Sequence, residues 1–374
     1  MKKALFILLV LCLSFSVFAQ GAQEAQTATA ATQYAIAMIT DSGDITDQSF
    51  NQSTYEACRD YAAAHGVKFQ YYKPTGDSDE AREASIEKAI DDGFNIVVMP
   101  GYLFGPAIAK VAPEYPDIKF VALDVSEYDV GGAISNVYCM LYQEEIAGYL
   151  AGYAAVALGY TNLGFCGGMA VPAVIRYGYG FVQGADAAAA KLGKTGTIQY
   201  TYANQFFGDA DVTAAMDTMY ANGAEVVFAC GGGVYTSVAE AAAKVGKKLI
   251  GVDVDQKGTI DGAYGAGLTL TSAMKGLYAS TQAALKTIIE DNAWNTVAGT
   301  FATLGLVSGT DMDANFVGIP TGDGTEWSSS FSLADYKALV NDVYTGKLVI
   351  SNDTSVAPAD NAKVLTVRDL GNIK

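Results

Sequence analysis

The chain has 374 residues, of which 51% are hydrophobic, and its formal net charge is −17. This length is sufficient for two domains with their own cores, and the 40 glycines favour compact α/β packing. The negative charge argues against nucleic acid and anionic membranes as partners, because both repel an acidic protein.

The first residues of the chain predict export. A short basic start and an apolar run precede the small-residue site Val17-Phe18-Ala19, so residues 1–19 are expected to form a removable signal peptide. Cys12 lies inside the apolar run, which argues against lipid attachment. Residues 20–33 are expected to form a disordered leader. The mature protein is therefore expected in the periplasm or associated with the cell surface.

Strand-like runs alternate with helical patterns along the rest of the chain. This order demands parallel sheets with right-handed crossovers. Two similar series follow one another and indicate two lobes, one formed by residues 34–141 and about 256–295, the other by 142–255 and about 296–374. The strands of the two series are predicted at 34–39, 67–72, 95–99, 119–123 and 133–139, and at 163–166, 197–202, 225–230 and 248–252.

The last third of the chain is expected to return to both lobes. A strand at 267–271 and a helix at 272–290 are assigned to the first lobe, which places Lys275 early in that helix. Strands at 300–307 and 315–319, followed by a helix near 333–344, are assigned to the second. These returns predict several hinge connections between the lobes.

Residues 40–52 form a polar loop between the first strand and the first helix. Ser49 and Gln52 match an S-x-x-Q capping box, which places Ser49 at the N-cap and Phe50 in the first turn. In open parallel sheets, ligands bind at this carboxyl edge of the strands. The alternative is an ordinary connection in which Phe50 packs in the core.

Several kinds of chemistry lack their sequence patterns. No complete phosphate-binding glycine motif, nucleophile elbow or metal-ligand spacing occurs, so neither a cofactor nor an enzymatic activity is expected. Asp253 and Asp255 give only weak support for acid–base catalysis, because the whole chain is acidic. The four cysteines after the signal are expected to be buried thiols, with a disulfide as the alternative: Cys58, Cys139, Cys166 and Cys230.

A set of polar and aromatic residues falls at strand ends and helix starts. Aromatic rings on opposite sides can sandwich a flat ring, and carboxylates accept hydrogen bonds from hydroxyl or ring N–H donors. One lysine can partly neutralise these carboxylates and donate to an oxygen. The set therefore favours a neutral ligand with many donors over an anion. Its members are Asp41, Phe50, Asn51, Asp124, Phe207, Gly231, Asp253 and Lys275.

The pattern T-D-S-G-D-I-x-D-x-S-F-N-Q at 40–52 resembles the signature of the basic membrane protein family, also called purine nucleoside receptors. These are substrate-binding proteins of ABC transporters. The resemblance covers roughly residues 34–320, and further matches lie at 120–124, 164–169, 207–209, 250–256 and 270–275.

The resemblance implies a type I periplasmic-binding fold, an α/β architecture whose two doubly wound parallel-sheet lobes, joined by hinge strands, close on a nucleoside. Phe50 and Phe207 would stack on the two faces of the base, and Phe207 is preferred over its neighbour Phe206. Asp41 and Asn51 would contact the edge of the base. The base or ribose would be held by Asp124, Gly231, Asp253 and Lys275.

The implied partners are a purine nucleoside (adenosine, guanosine or inosine) and an ABC permease with its ATPase, and a monomer is expected. The lipid-attachment cysteine usual in the family is missing from its expected place. Two alternatives remain open: a receptor of the same fold for a sugar or signalling ligand, and a nucleoside hydrolase.

Overall fold

A computed structural model describes residues 33–374. The expected signal peptide, and all but the last residue of the expected leader, lie outside the described residues. No helix in the described part of the chain combines the length and the apolar character needed to cross a membrane.

Strands and helices alternate through residues 33–374. The strands are β1 (Ala35–Ile39), β2 (Lys68–Tyr72), β3 (Ile96–Pro100), β4 (Lys119–Leu123), β5 (Val137–Tyr142), β6 (Asn162–Gly167), β7 (Thr197–Tyr202), β8 (Val226–Cys230), β9 (Lys248–Asp253), β10 (Thr269–Lys275), β11 (Thr300–Leu304), β12 (Val317–Gly318) and β13 (Thr366–Asn372). The helices are α1 (Phe50–His65), α2 (Asp79–Asp91), α3 (Gly105–Val111), α4 (Glu127–Val130), α5 (Glu144–Ala157), α6 (Pro172–Leu192), α7 (Ala210–Ala221), α8 (Tyr235–Val245), α9 (Lys257–Tyr264), α10 (Leu277–Ile289) and α11 (Leu333–Tyr344).

These strands form two sheets. The first has the order β11-β5-β4-β3-β1-β2, and all its neighbouring strands are parallel. The second has the order β12-β10-β9-β8-β6-β7-β13, in which only the β10–β12 pair is antiparallel. Strands β1, β3 and β8 are buried along their whole length, as expected for parallel sheets covered by helices on both faces.

Two strands lie in the sheet opposite to the one expected from the sequence. β10 belongs to the segment assigned to the first lobe, yet it pairs with β9 in the second sheet. β11 was assigned to the second lobe, yet it pairs with β5 in the first sheet. Which sheet a strand joins is decided by tertiary packing, and β11 pairs with a strand far from it in the chain, so local patterns do not assign it. As a result the described chain crosses between the sheets three times, after β5, after β10 and after β11.

The predicted helix at 272–290 is wrong at its start. Residues 272–275 belong to β10, and α10 begins at Leu277, so Lys275 ends a strand. β10 is buried on both faces and has no alternating polarity by which it can be recognised. Helix α9 and strand β13 were not predicted.

Helices α5 and α6 pack with their backbones in near contact. A Cβ atom at Gly180 would lie 2.0 Å from the carbonyl oxygen of Glu145, and one at Gly148 would lie 2.1 Å from that of Tyr177. Only glycine permits such an approach. This packing fixes the start of α5 beside the first turns of α6.

Candidate functional site

A cavity of about 650 Å³ lies at the carboxyl ends of strands from both sheets. Its position is the one expected for a ligand site in parallel α/β sheets. The structure brings all eight residues predicted from the sequence to its lining: Asp41, Phe50, Asn51, Asp124, Phe207, Gly231, Asp253 and Lys275. Their proposed contacts with a ligand stay predictions.

Asn51 holds Asp41 in place at the end of β1. The Asn51 amide oxygen accepts from the backbone N–H of Asp41 at 3.2 Å, and its Nδ2 donates to Asp41 Oδ1 at 2.9 Å. The same nitrogen donates to Asp47 Oδ2 at 3.1 Å. Burial raises the pKa of Asp41 to about 6, although hydrogen bonds from Gly43 and Asn51 oppose the shift. The Asn51 side chain therefore positions Asp41 within this loop.

The predicted capping box at the start of α1 does not form. Ser49 precedes the helix as expected, but its side chain makes no capping hydrogen bond. The Asp47 carboxylate caps the helix instead, accepting from the backbone N–H groups of Ser49, Asn51 and Gln52 at 2.9, 2.9 and 3.1 Å. An aspartate two residues earlier thus satisfies the free N–H groups and releases the Ser49 hydroxyl.

Aromatic rings border the cavity on both sides. Phe50 is half-buried, and Lys275 Nζ lies 4.9 Å from the centre of its ring. Phe207 is 60% exposed, whereas Phe206 is half-buried and packs close to Gly231. A Cβ atom at Gly231 would lie 2.8 Å from the backbone of a neighbouring glycine, so no larger residue fits there. Both phenylalanines reach the cavity, and the choice between them stays a prediction.

A buried group of charges forms one end of the site. Lys275 Nζ lies 2.6 Å from Asp124 Oδ2 and 3.1 Å from Glu144 Oε1. Arg176 Nε lies 2.6 Å from the other oxygen of Glu144. Burial raises the pKa of Asp124 to about 6, although the charge of Lys275 opposes the shift. Burial acts to lower the pKa of Lys275, but the neighbouring carboxylates outweigh it and raise that pKa.

Asp253 connects the two halves of the site. Its Oδ2 accepts from the Ser49 hydroxyl at 2.6 Å, and its Oδ1 accepts from the Tyr177 hydroxyl at 3.3 Å. Burial raises its pKa, against the effect of the Lys275 charge. Next to Ser49, the Gln48 carbonyl accepts from Gln256 Nε2 at 3.0 Å. These bonds join the loop before α1 to the end of β9 and the residues after it.

Asp124 and Asp253 share an uncommon backbone conformation. Their φ angles are 61° and 65°, in the left-handed region that residues with a Cβ rarely adopt. Each follows or ends a central strand, β4 or β9, and each turns its carboxylate to the cavity. Aspartate tolerates this conformation better than most residues. Such strain is often found at binding sites.

The sequence interpretation missed Glu144 and Arg176. Glu144 is fully buried at the first position of α5, and Arg176 lines the cavity from α6. An acid in the first turn of a helix usually compensates the helix dipole, so Glu144 gave no distinct signal. The four cysteines of the described region are free and buried, as the favoured interpretation predicted.

The two sheets share a polar cavity, bordered by aromatic rings, at their carboxyl edges. This is the arrangement of a substrate-binding protein with two lobes. The family model for "ABC transporter substrate-binding protein PnrA-like" (Bmp) matches residues 35–334. The chain belongs to this family, and it is an ABC transporter substrate-binding protein of the Bmp type.

Relatives share part of the sequence of this chain, and a solved structure shares its fold. A "CD4+ T-cell-stimulating antigen" from Listeria innocua is 27% identical over 285 residues, covering 72% of this chain and 75% of that protein. An "ABC transporter nucleoside-binding protein BmpA" from Lactococcus lactis is 29% identical over 239 residues, covering 60% of this chain and 65% of that protein. The structure of a solute-binding protein of an ABC transporter system from Aeropyrum pernix K1 superposes with a TM-score of 0.64 at 21% identity, covering 86% and 88%. The type I periplasmic-binding fold is thereby confirmed.

Proposed function

We propose that the protein is exported, captures a purine nucleoside between two lobes, and presents it to an ABC permease coupled to its ATPase. The base stacks between Phe50 and an aromatic ring of the 206–207 pair, Phe207 being the preferred partner. Asp41 and Asn51 contact the edge of the base. The remaining site residues hold the base or the ribose: Asp124, Gly231, Asp253 and Lys275.

The charge of the cavity is the observation that carries this proposal. Among the described residues that line it, seven aspartates face three cationic side chains. Carboxylates accept hydrogen bonds and repel anions, so the cavity suits a neutral ligand rich in hydroxyl and N–H donors. Aromatic rings at its border suit a flat heterocycle. A nucleoside has both features, and the Lactococcus lactis relative is named for binding nucleosides.

Calorimetry on the purified mature protein tests the proposal directly. Inosine, guanosine and adenosine should bind, whereas ribose should bind far more weakly because it offers no base to stack. Tight binding of free sugars with no binding of nucleosides would favour the sugar receptor. Release of free base from inosine would favour the hydrolase.

The proposed export has a separate test. Cleavage after Ala19 leaves a mature chain that begins at Gln20 and carries no lipid. Mass spectrometry of the exported protein should give that mass. A diacylglycerol-modified N-terminus would contradict it.

A further inference from the structure

Arg176 combines a fixed position with free donor groups. Its side chain is 17% exposed and lines the cavity. Its Nε donates to Glu144 Oε2 at 2.6 Å, and no described residue accepts a hydrogen bond from its two terminal nitrogens. A guanidinium has five N–H donors, so four of them remain for another partner. The side chain is anchored at its inner end and unpaired toward the cavity.

Glu144 contacts both cations, the buried Lys275 and the partly buried Arg176. It is fully buried, with one oxygen on Arg176 and the other on Lys275. Helices α5 and α6 are so close that a Cβ atom added at Gly180 would lie 2.0 Å from the carbonyl oxygen of Glu145. Glu144 therefore has little freedom to move away from α6. This carboxylate therefore holds Arg176 and Lys275 beside the cavity that both residues line.

The chemistry of the site now has two complementary sides. Asp124, which lines the cavity beside Arg176, can only accept hydrogen bonds when ionised, and Arg176 can only donate them. A hydroxyl does both. Two adjacent hydroxyls on a ribose can therefore donate to carboxylates while accepting from the guanidinium, whereas a group with donors alone cannot use Arg176.

We propose that Arg176 is a further ligand-binding residue, whose terminal nitrogens donate to the ribose diol of the bound nucleoside, and that Glu144 is the positioning residue that aims it. This inference rests on the proposed nucleoside function. It goes beyond that function because it assigns sugar recognition to a residue pair outside the family signature seen in the sequence. A purely structural ion pair would stabilise the fold and affect all ligands alike.

The test compares inosine with 2′,3′-dideoxyinosine, which lacks the diol. Calorimetry is performed on the wild type, Arg176→Met, Arg176→Lys and Glu144→Gln, and thermal unfolding verifies that each variant is folded. Lysine keeps the positive charge beside Glu144 and so preserves the buried charge balance. It lacks the two terminal guanidinium nitrogens. Arg59→Met is the matched control, because Arg59 also pairs with an acid, Asp60, but lies outside the cavity.

We expect both Arg176 variants to lose roughly tenfold or more in affinity for inosine, as is usual for a hydrogen bond to a charged group. Their affinity for dideoxyinosine should change much less, so the ratio between the two ligands falls. Glu144→Gln should shift this ratio in the same direction, and Arg59→Met should leave it unchanged.

The outcomes separate this inference from the function on which it rests. A wild type that binds neither nucleoside overturns the proposed function and this inference with it. A wild type that binds both ligands equally, or folded Arg176 variants with an unchanged ratio, overturn the inference alone. If Arg176→Met fails to fold, Arg176→Lys decides.

Discussion

Removing the charge of Lys275 should destabilise the fold strongly. Its side chain is only 2% exposed and contacts Asp124 and Glu144 at 2.6 and 3.1 Å. Lys275→Met keeps the length of the side chain but leaves two buried carboxylates with one cation fewer. Breaking a buried pair from one side typically costs about 3–5 kcal/mol, because the partner charge remains without water or counter-ion. We therefore expect a loss of that size in the free energy of unfolding at pH 7.

The pH dependence of this loss follows from the pKa of Asp124. Burial already raises that pKa to about 6 with Lys275 present, and loss of the cation raises it further. A carboxyl with a raised folded-state pKa binds more protons in the folded than in the unfolded protein, so the free energy of unfolding increases as the pH falls toward the unfolded-state pKa. The destabilisation by Lys275→Met should therefore be smaller at pH 5 than at pH 7.

Urea unfolding of the ligand-free protein measures both effects. Lys244→Met is the matched control, since Lys244 also contacts two carboxylates, Asp217 and Glu240, but is 45% exposed. Exposed pairs contribute at most about 1 kcal/mol, so the control should change little. A loss below about 1 kcal/mol for Lys275→Met at pH 7, or a larger loss at pH 5, would refute the reasoning.

Three further predictions concern ligand binding. Phe50→Ala should weaken nucleoside binding by roughly ten- to a hundredfold, because stacking on one ring contributes about 1–3 kcal/mol. Only one of the variants Phe206→Ala and Phe207→Ala should have the same effect, and we expect it to be Phe207→Ala. Calorimetry showing unchanged affinity in both Phe50→Ala and Phe207→Ala would end the sandwich arrangement. Adenosine should bind at least about tenfold more tightly than AMP, because desolvating a phosphate beside carboxylates is unfavourable; similar affinities would contradict this. Because burial raises the pKa of Asp41 to about 6, protonation removes its negative charge as the pH falls, and inosine affinity should decrease by up to about tenfold from pH 7 to pH 5. Asp41→Asn should make that decrease smaller, and protonation of Asp124 accounts for the part that remains.

Elements with local signals were predicted well from the sequence. Helix α11 has the predicted bounds, and the Ser332 side chain before it accepts from the backbone N–H of Asp335 as a helix cap does. Strands β4 and β7 also have the predicted bounds, because turn residues interrupt the apolar runs around them. The second half of β10, residues 272–275, was wrongly assigned to a helix, because its polar residues bond within the interior, as Ser272 Oγ does by accepting from the backbone N–H of Gln256 at 3.1 Å. In the sequence, a buried hydroxyl residue with such a partner cannot be distinguished from an exposed one.

The candidate site was predictable where residues follow strand ends. Asp124 and Asp253 end or follow apolar runs, so the rule for parallel sheets placed them together. Contacts that depend on packing between distant segments had no such signal. Ser49 and Asp253 are 204 residues apart, and Glu144 meets Arg176 only because α5 and α6 approach at glycines. The Asp47 cap is local, but the bond that takes the Ser49 hydroxyl away from the helix start is not, because its partner Asp253 ends a strand of the second sheet.

The side chains proposed to bind the ligand also form contacts between the two sheets. Ser49 donates to Asp253, and Lys275 at the end of β10 donates to Asp124 after β4, so each bond joins loops of the two sheets. A carboxylate has about four acceptor positions, so a ligand hydroxyl can add to these bonds without replacing them. Both bonds stabilise the arrangement in which the site is complete. The affinity for a ligand then depends on the difference in its contacts between this arrangement and any more open one. Ser49 is not an expected ligand contact. A substitution at Ser49 should nevertheless alter the affinity for the ligand, because it removes the bond to Asp253 that joins the two sheets.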